Sequence, residues 1–75
     1  MAQVPRVSGR EAVRVFATVG YEEVRQRGSH IRLRHAEGAR PPLTVPDHRE
    51  LKTGLLHRLI RDAGMTVEEF VAAMK

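Results

Sequence analysis

His30, directly after Gly28 and Ser29, lies in the one stretch of the chain that carries excess charge. Between Arg25 and Arg40, five arginines (Arg25, Arg27, Arg32, Arg34 and Arg40) face a single acid, Glu37, so this stretch holds the whole formal charge of +4. The flanking segments, 1–24 and 41–75, are each neutral. An imidazole, with an unperturbed pKa of about 6.5, suits proton transfer near neutral pH, and such a group typically contributes roughly 10²–10⁴-fold to a rate. Guanidinium groups stabilise charge on phosphate oxygens. Together they suit RNA cleavage, in which the imidazole takes the proton of a 2′-hydroxyl attacking the adjacent phosphorus while arginines hold the phosphate. That chemistry calls for no metal and no other cofactor. The structural alternative is a solvated histidine at a hairpin end beside a charge run that is only a wet surface.

The neighbouring residues divide by position. Arg27 flanks the turn and is the arginine nearest a phosphate held at His30, while Ser29 helps to position the turn. Arg25 and Arg32 fall opposite one another in the expected strand pairing, which is unfavourable for like charges unless an anion lies near them. Arg34 continues the same face. His48, in a loop after Pro46-Asp47, could supply a second proton-transfer group or a phosphate contact if that loop folds towards the sheet. His35 falls on the core side of a strand end and reads as structural, and His57 reads as exposed on a helix. None of the four histidines has the close spacing of a zinc set, so no metal is assigned. Without a glycine-rich phosphate loop, a serine–histidine–acid order or an aromatic platform, recognition would rest on phosphates, 2′-hydroxyls and shape.

The elements that must place these residues follow from periodicity. Met1–Val7 is aperiodic and holds Pro5, and is read as a flexible N-terminal arm, leaving residues 8–75 as the domain. Ser8 and Glu11 have capping-box spacing, and Ala12, Val13, Phe16 and Val19 recur at helical steps up to Gly20, predicting a helix over 9–19. Tyr21–Arg27 and His30–His35 flank Gly28-Ser29, which suits a type II′ hairpin turn. Uninterrupted pairing then sets Arg27 against His30, Gln26 against Ile31, Arg25 against Arg32, Val24 against Leu33 and Glu23 against Arg34. Val24, Ile31 and Leu33 would share the core face with Gln26, and Glu23, Arg25, Arg27, His30, Arg32 and Arg34 the open one. Leu43–Val45 forms a short third strand stopped by Pro46. A second helix covers 53–63, where Thr53-Gly54 caps or interrupts its start, and Thr66 with Glu69 opens a last short helix.

The resulting class is α+β: one small domain, α-β-β-β-α(-α), with a three-stranded antiparallel sheet covered by helices on one face. Seventy-five residues exclude a second domain, and a sequence pI near 10.7 favours a phosphate-bearing or acidic partner. The absence of cysteine is compatible with a reducing cytoplasm, and no apolar run is long enough for a signal peptide or membrane span.

Several short motifs occur in order: Gly20-Tyr21, Arg25-Gln26-Arg27-Gly28-Ser29-His30, Val45-Pro46-Asp47-His48, Glu50-Leu51-Lys52-Thr53-Gly54-Leu55 and Ala63-Gly64. On these the chain resembles the HicA family over nearly all of its length after Val7. The resemblance implies a double-stranded-RNA-binding-domain-like fold and a toxin of a type II toxin–antitoxin pair, acting in the cytoplasm as an mRNA interferase, with mRNA as substrate. It also implies that His30 is catalytic and that a cognate HicB-like antitoxin covers the site. The family often has His-Pro-Asp-Gly in the turn between the second and third strands, where this chain has His35-Ala36-Glu37-Gly38, and Pro41-Pro42 extends that loop. Two other readings use the same basic face: a non-catalytic RNA-binding module, and a protein-interaction module that docks an acidic partner.

Overall fold

Side-chain caps explain where two of the three helices begin in the computed structural model, which describes residues 4–75. The order is α1 (Gly9–Ala17), β1 (Tyr21–Arg27), β2 (His30–His35), β3 (Leu43–Pro46), α2 (Thr53–Asp62) and α3 (Val67–Ala73). At α1, Ser8 Oγ accepts from the Glu11 N–H at 3.1 Å while Glu11 Oε1 accepts from the Ser8 N–H at 2.9 Å. Those two bonds to Ser8 hold the Glu11 carboxyl below its ordinary pKa, the backbone bond being the larger cause. Thr66 and Glu69 make the same reciprocal pair at α3. At α2 the N-cap Lys52 makes no side-chain cap bond, and Thr53 and Gly54 neither cap nor interrupt the helix but form its first turn. Burial of Leu56, Leu59 and Ile60 holds α2 instead.

The three strands form one antiparallel sheet in the order β1-β2-β3, so β2 is central. Helices cover one face, as the α+β reading expects. Ile31 and Leu33 of β2 and Leu43 and Val45 of β3 meet Val15 and Phe16 of α1, the apolar stripe of α2, and Phe70 of α3. Phe16 lies 5.6 Å from Phe70 and 6.2 Å from Tyr21, ring centre to ring centre, as aromatic pairs prefer.

The hairpin turn has the expected form: Gly28 is at φ +54° and Ser29 keeps a negative φ, the type II′ pattern. The first three pairs also match the expected register, Arg27 with His30, Gln26 with Ile31 and Arg25 with Arg32. Beyond them the register shifts at a β-bulge between Glu23 and Arg25. The expected pairs Val24–Leu33 and Glu23–Arg34 do not form; Leu33 faces Glu23, Arg34 faces Glu22, and His35 faces Tyr21. Val24 is therefore not core but 46% exposed. Glu23 leaves the open face for the helix side, where Arg10 Nη1 donates to it at 3.1 Å, and Glu22 takes its place 4.0 Å from Arg34.

The reason is a choice of which residue to bury. Unbroken alternation would put Glu22 and Val24 inside and Tyr21 outside. One extra residue reverses this, leaving Tyr21 only 4% exposed with its hydroxyl donating to the Pro41 carbonyl at 2.7 Å. A buried tyrosine covers more apolar area than a valine and satisfies its polar end. Burial raises the Tyr21 phenol above its ordinary pKa.

The N-terminal segment departs from the expected arm as well. Val7 is 1% exposed, its carbonyl accepts the Leu51 N–H at 2.8 Å, and Val4 packs on the core, so residues 4–7 are docked. Residues 1–3 of that arm lie outside the described residues.

One close approach joins the helix layer to the end of the hairpin. A Cβ on Gly9 would overlap the Pro46 carbonyl oxygen and lie 3.1 Å from Asp47 Cα. The Gly9 N–H donates to the His48 carbonyl at 2.9 Å, and the Asp47 N–H donates to the Ser29 carbonyl at 2.6 Å. The start of α1, the end of β3 and the hairpin turn thus form one unit. Helix propensity alone would favour Gly9→Ala by about 0.5–1 kcal/mol. The overlap predicts the opposite, a loss of roughly 1–3 kcal/mol. Thermal unfolding checks the sign: a lowered Tm supports the contact, and a raised one removes it.

Candidate nucleic-acid interface

The site is built on the alternation of β2. Ile31, Leu33 and His35 are buried, whereas His30 and Arg34 are exposed and Arg32 is half-buried, so the last three share the uncovered face of the sheet. Because β2 is central, each is flanked from both sides. Arg27 of β1 and Pro46 of β3 flank His30; Arg25 and Thr44 flank Arg32. Arg25, Arg27, His30, Arg32 and Thr44 line one shallow open groove. Arg32 Nη1 donates to Thr44 Oγ1 at 2.8 Å, which orients this guanidinium beside Arg25. Ser29 is exposed in the turn, and its carbonyl is the acceptor that ties down Asp47. Arg34 lies further along the face, in a second groove shared with Val24, Arg25 and Arg32.

The structure therefore brings together His30, Arg25, Arg27 and Arg32, with Ser29 at the rim and Arg34 one step away. His48 is exposed and lines neither groove; the bond from Gly9 holds its backbone against the start of α1. Arg40, the fifth arginine of the basic stretch, packs its guanidinium over Gly64 in the α2–α3 turn. His35 is structural, as its core position implies: in the neutral tautomer that satisfies both ring nitrogens, Nε2 donates to the Val19 carbonyl at 3.1 Å and Nδ1 accepts from the Ala39 N–H at 3.3 Å. Its ring stands nearly perpendicular to that of Tyr21, 5.2 Å away. Among the described residues no three His, Cys, Asp or Glu side chains form a metal-holding group, and no helix is long and apolar enough to cross a membrane.

Sequence reasoning missed the polar cluster that steadies the turn from the helix side. Gln26, a blemish in an otherwise apolar face, accepts from Arg10 Nη2 and donates through Nε2 to the Gly28 carbonyl at 3.0 Å and to Asp47 Oδ2 at 3.1 Å. Arg10 Nε is also 3.6 Å from Asp47 Oδ2. A polar residue at a core-facing strand position was the only available signal, and its partners come from α1 and the loop after β3, distant in sequence.

Comparison with known families places this geometry. Residues 9–65 match the model of the HicA toxin of bacterial toxin–antitoxin systems, a span from the start of α1 to the end of the turn after α2. That is well over half of the chain, and the protein belongs to the HicA toxin family. No curated protein matches the chain. Membership makes it a toxin component and implies a cognate antitoxin partner.

The facing pair Arg25–Arg32 has a measurable cost when no anion is near. Replacing Arg25 by Gln should stabilise the free protein by about 0.2–1 kcal/mol at low ionic strength, the gain shrinking as salt rises. Denaturant titrations at low and high salt test this; a destabilised Arg25→Gln protein would show that the two guanidinium groups do not repel.

Proposed function

We propose that this toxin is an endoribonuclease that cuts mRNA, with His30 as the proton-transfer group and Arg25, Arg27, Arg32 and Arg34 as the phosphate-holding surface. The observation that carries the reading is the exposed His30 ring in a groove shared with Arg25, Arg27 and Arg32, on a sheet face that no helix covers. Family membership supports it from an independent direction.

In the reaction, His30 accepts the proton of a ribose 2′-hydroxyl as that oxygen bonds to the adjacent phosphorus and the bond from phosphorus to the 5′-oxygen breaks. The product is a cyclic phosphate and a free 5′-hydroxyl, whose proton comes from water on the open face. The arginines counter the negative charge that builds on the phosphate oxygens. Ser29 acts by geometry, keeping His30 at the first position of β2. His48, bound through its backbone to Gly9, is left as an outer phosphate contact. The requirement for a 2′-hydroxyl makes RNA, and not DNA, the substrate. The cytoplasm, where mRNA is found, is the site of action, and the HicB-like antitoxin would act by covering the same face.

His30→Ala alters an exposed side chain and should leave Tm unchanged while lowering the rate of mRNA cleavage roughly 10²–10⁴-fold in the presence of a chelator. Growth and transcript integrity, followed together during induced expression of both proteins, give the same comparison in cells. Equal cleavage by the two would remove His30 from the mechanism. Salt-sensitive binding with RNA left intact by the unsubstituted protein would instead favour an RNA-binding module.

A further inference from the structure

Val24 is out of character with its surroundings. Among the described residues it is the one large hydrophobic side chain that is exposed, at 46%, and it stands among arginines. The bulge causes this by leaving Val24 without a partner between Glu23, which faces Leu33, and Arg25, which faces Arg32. Val24 then lines a groove with Arg25, Arg32 and Arg34, and Glu37, from the loop after β2, is on its wall. Glu37 is also the only acid between Arg25 and Arg40. Arg25 and Arg32 line both this groove and the one that holds His30, so the two adjoin.

We propose that this second groove holds one unstacked nucleobase of single-stranded RNA, with Val24 beneath the base and the Glu37 carboxylate accepting from its exocyclic amine. The position of the neighbouring phosphate, at His30, rests on the ribonuclease reading above. Charge selects the class of occupant: four arginines, Arg40 included, around an apolar floor suit a ligand that is anionic along its backbone and flat and apolar in its face. Guanidinium planes and an aliphatic floor must do the stacking here, because Phe16, Tyr21 and Phe70 are all buried. The distance also fits. Arg32 is two residues from His30 along β2, about 7 Å at roughly 3.4 Å per residue, the scale of one nucleotide step in an extended strand.

Glu37 turns the groove from a platform into a reader. An ionised carboxylate only accepts hydrogen bonds, so it suits the amine of cytosine and opposes the carbonyl oxygen that uracil has at the same place. The groove should therefore prefer an amine-bearing base, a choice that phosphate contacts alone cannot make.

Equilibrium binding of short oligo(C) and oligo(U) RNA to the non-cleaving His30→Ala protein tests this directly. Oligo(C) should bind about tenfold more tightly than oligo(U), and Glu37→Gln, whose amide can both donate and accept, should level the two. Val24→Ser should weaken oligo(C) binding about tenfold, with Val24→Ile restoring it and an abasic RNA indifferent to either change. Equal binding of oligo(C) and oligo(U), or a Val24→Ser protein that binds as tightly as its parent, would overturn the base pocket. Cleavage by the unsubstituted protein is scored separately, so loss of the ribonuclease reading and loss of the base pocket give different results.

Discussion

The two-residue alternation of β2, locked between two partner strands, is the constraint on which the rest of the molecule depends. Ile31 and Leu33 are drawn into the core by apolar burial, and each inward residue forces its neighbour outward. The backbone positions of His30, Arg32 and Arg34 are thus set by the packing of other residues, and the bond to Thr44 then orients the Arg32 guanidinium. Being central, β2 cannot slip without breaking two ladders at once, so the spacing between the imidazole and the guanidinium groups is set by the sheet. The cost is a crowded basic surface that the free protein must keep hydrated.

The ends of that strand are secured differently. At the turn, Gly28 supplies the positive φ, and Gln26, Asp47, Arg10 and Gly9 bind the hairpin to the helix layer. At the other end, His35 fills its hydrogen bonds to the turn before β1 and to the loop between β2 and β3, and Tyr21 is sealed against Phe16 and the Pro41 carbonyl. The catalytic candidate therefore projects from the more heavily tethered end of a rigid element, which suits a group that has to meet a phosphate at fixed distance. The opposite end carries the bulge and the long loop that supplies Glu37. Variation there would alter what is recognised without moving the imidazole.

Most of this was legible locally. Capping boxes at Ser8 and Thr66, the Gly28-Ser29 turn, helical spacing of the leucines and alternation along β2 are short-range signals, and the elements formed where those signals lie. His30, Arg25, Arg27 and Arg32 could be placed on one face from the pairing across the Gly28-Ser29 turn and the alternation of side chains alone, because the bulge begins only beyond Arg25. What stayed hidden was decided by distant partners. Val24 reads as core in sequence, but Tyr21 competes for the same face and wins through Phe16 and Pro41, neither of which β1 can announce. Val7 reads as part of a loose arm until Leu51, more than forty positions later, accounts for its carbonyl. Gln26 reads as a flaw until Arg10 and Asp47 arrive around it.

On the proposed function, RNA meets this protein on the uncovered face of the sheet with the His30 ring at the contact. Nuclear magnetic resonance of the labelled protein, titrated with an RNA whose reactive 2′-hydroxyl is replaced by hydrogen, measures that contact without cleavage. The largest changes should fall on the His30 imidazole and on the side chains of Arg25, Arg27 and Arg32, with the outer surface of α2, His57 included, unmoved. Changes centred on α2, with the His30 ring unaffected at saturation, would contradict it.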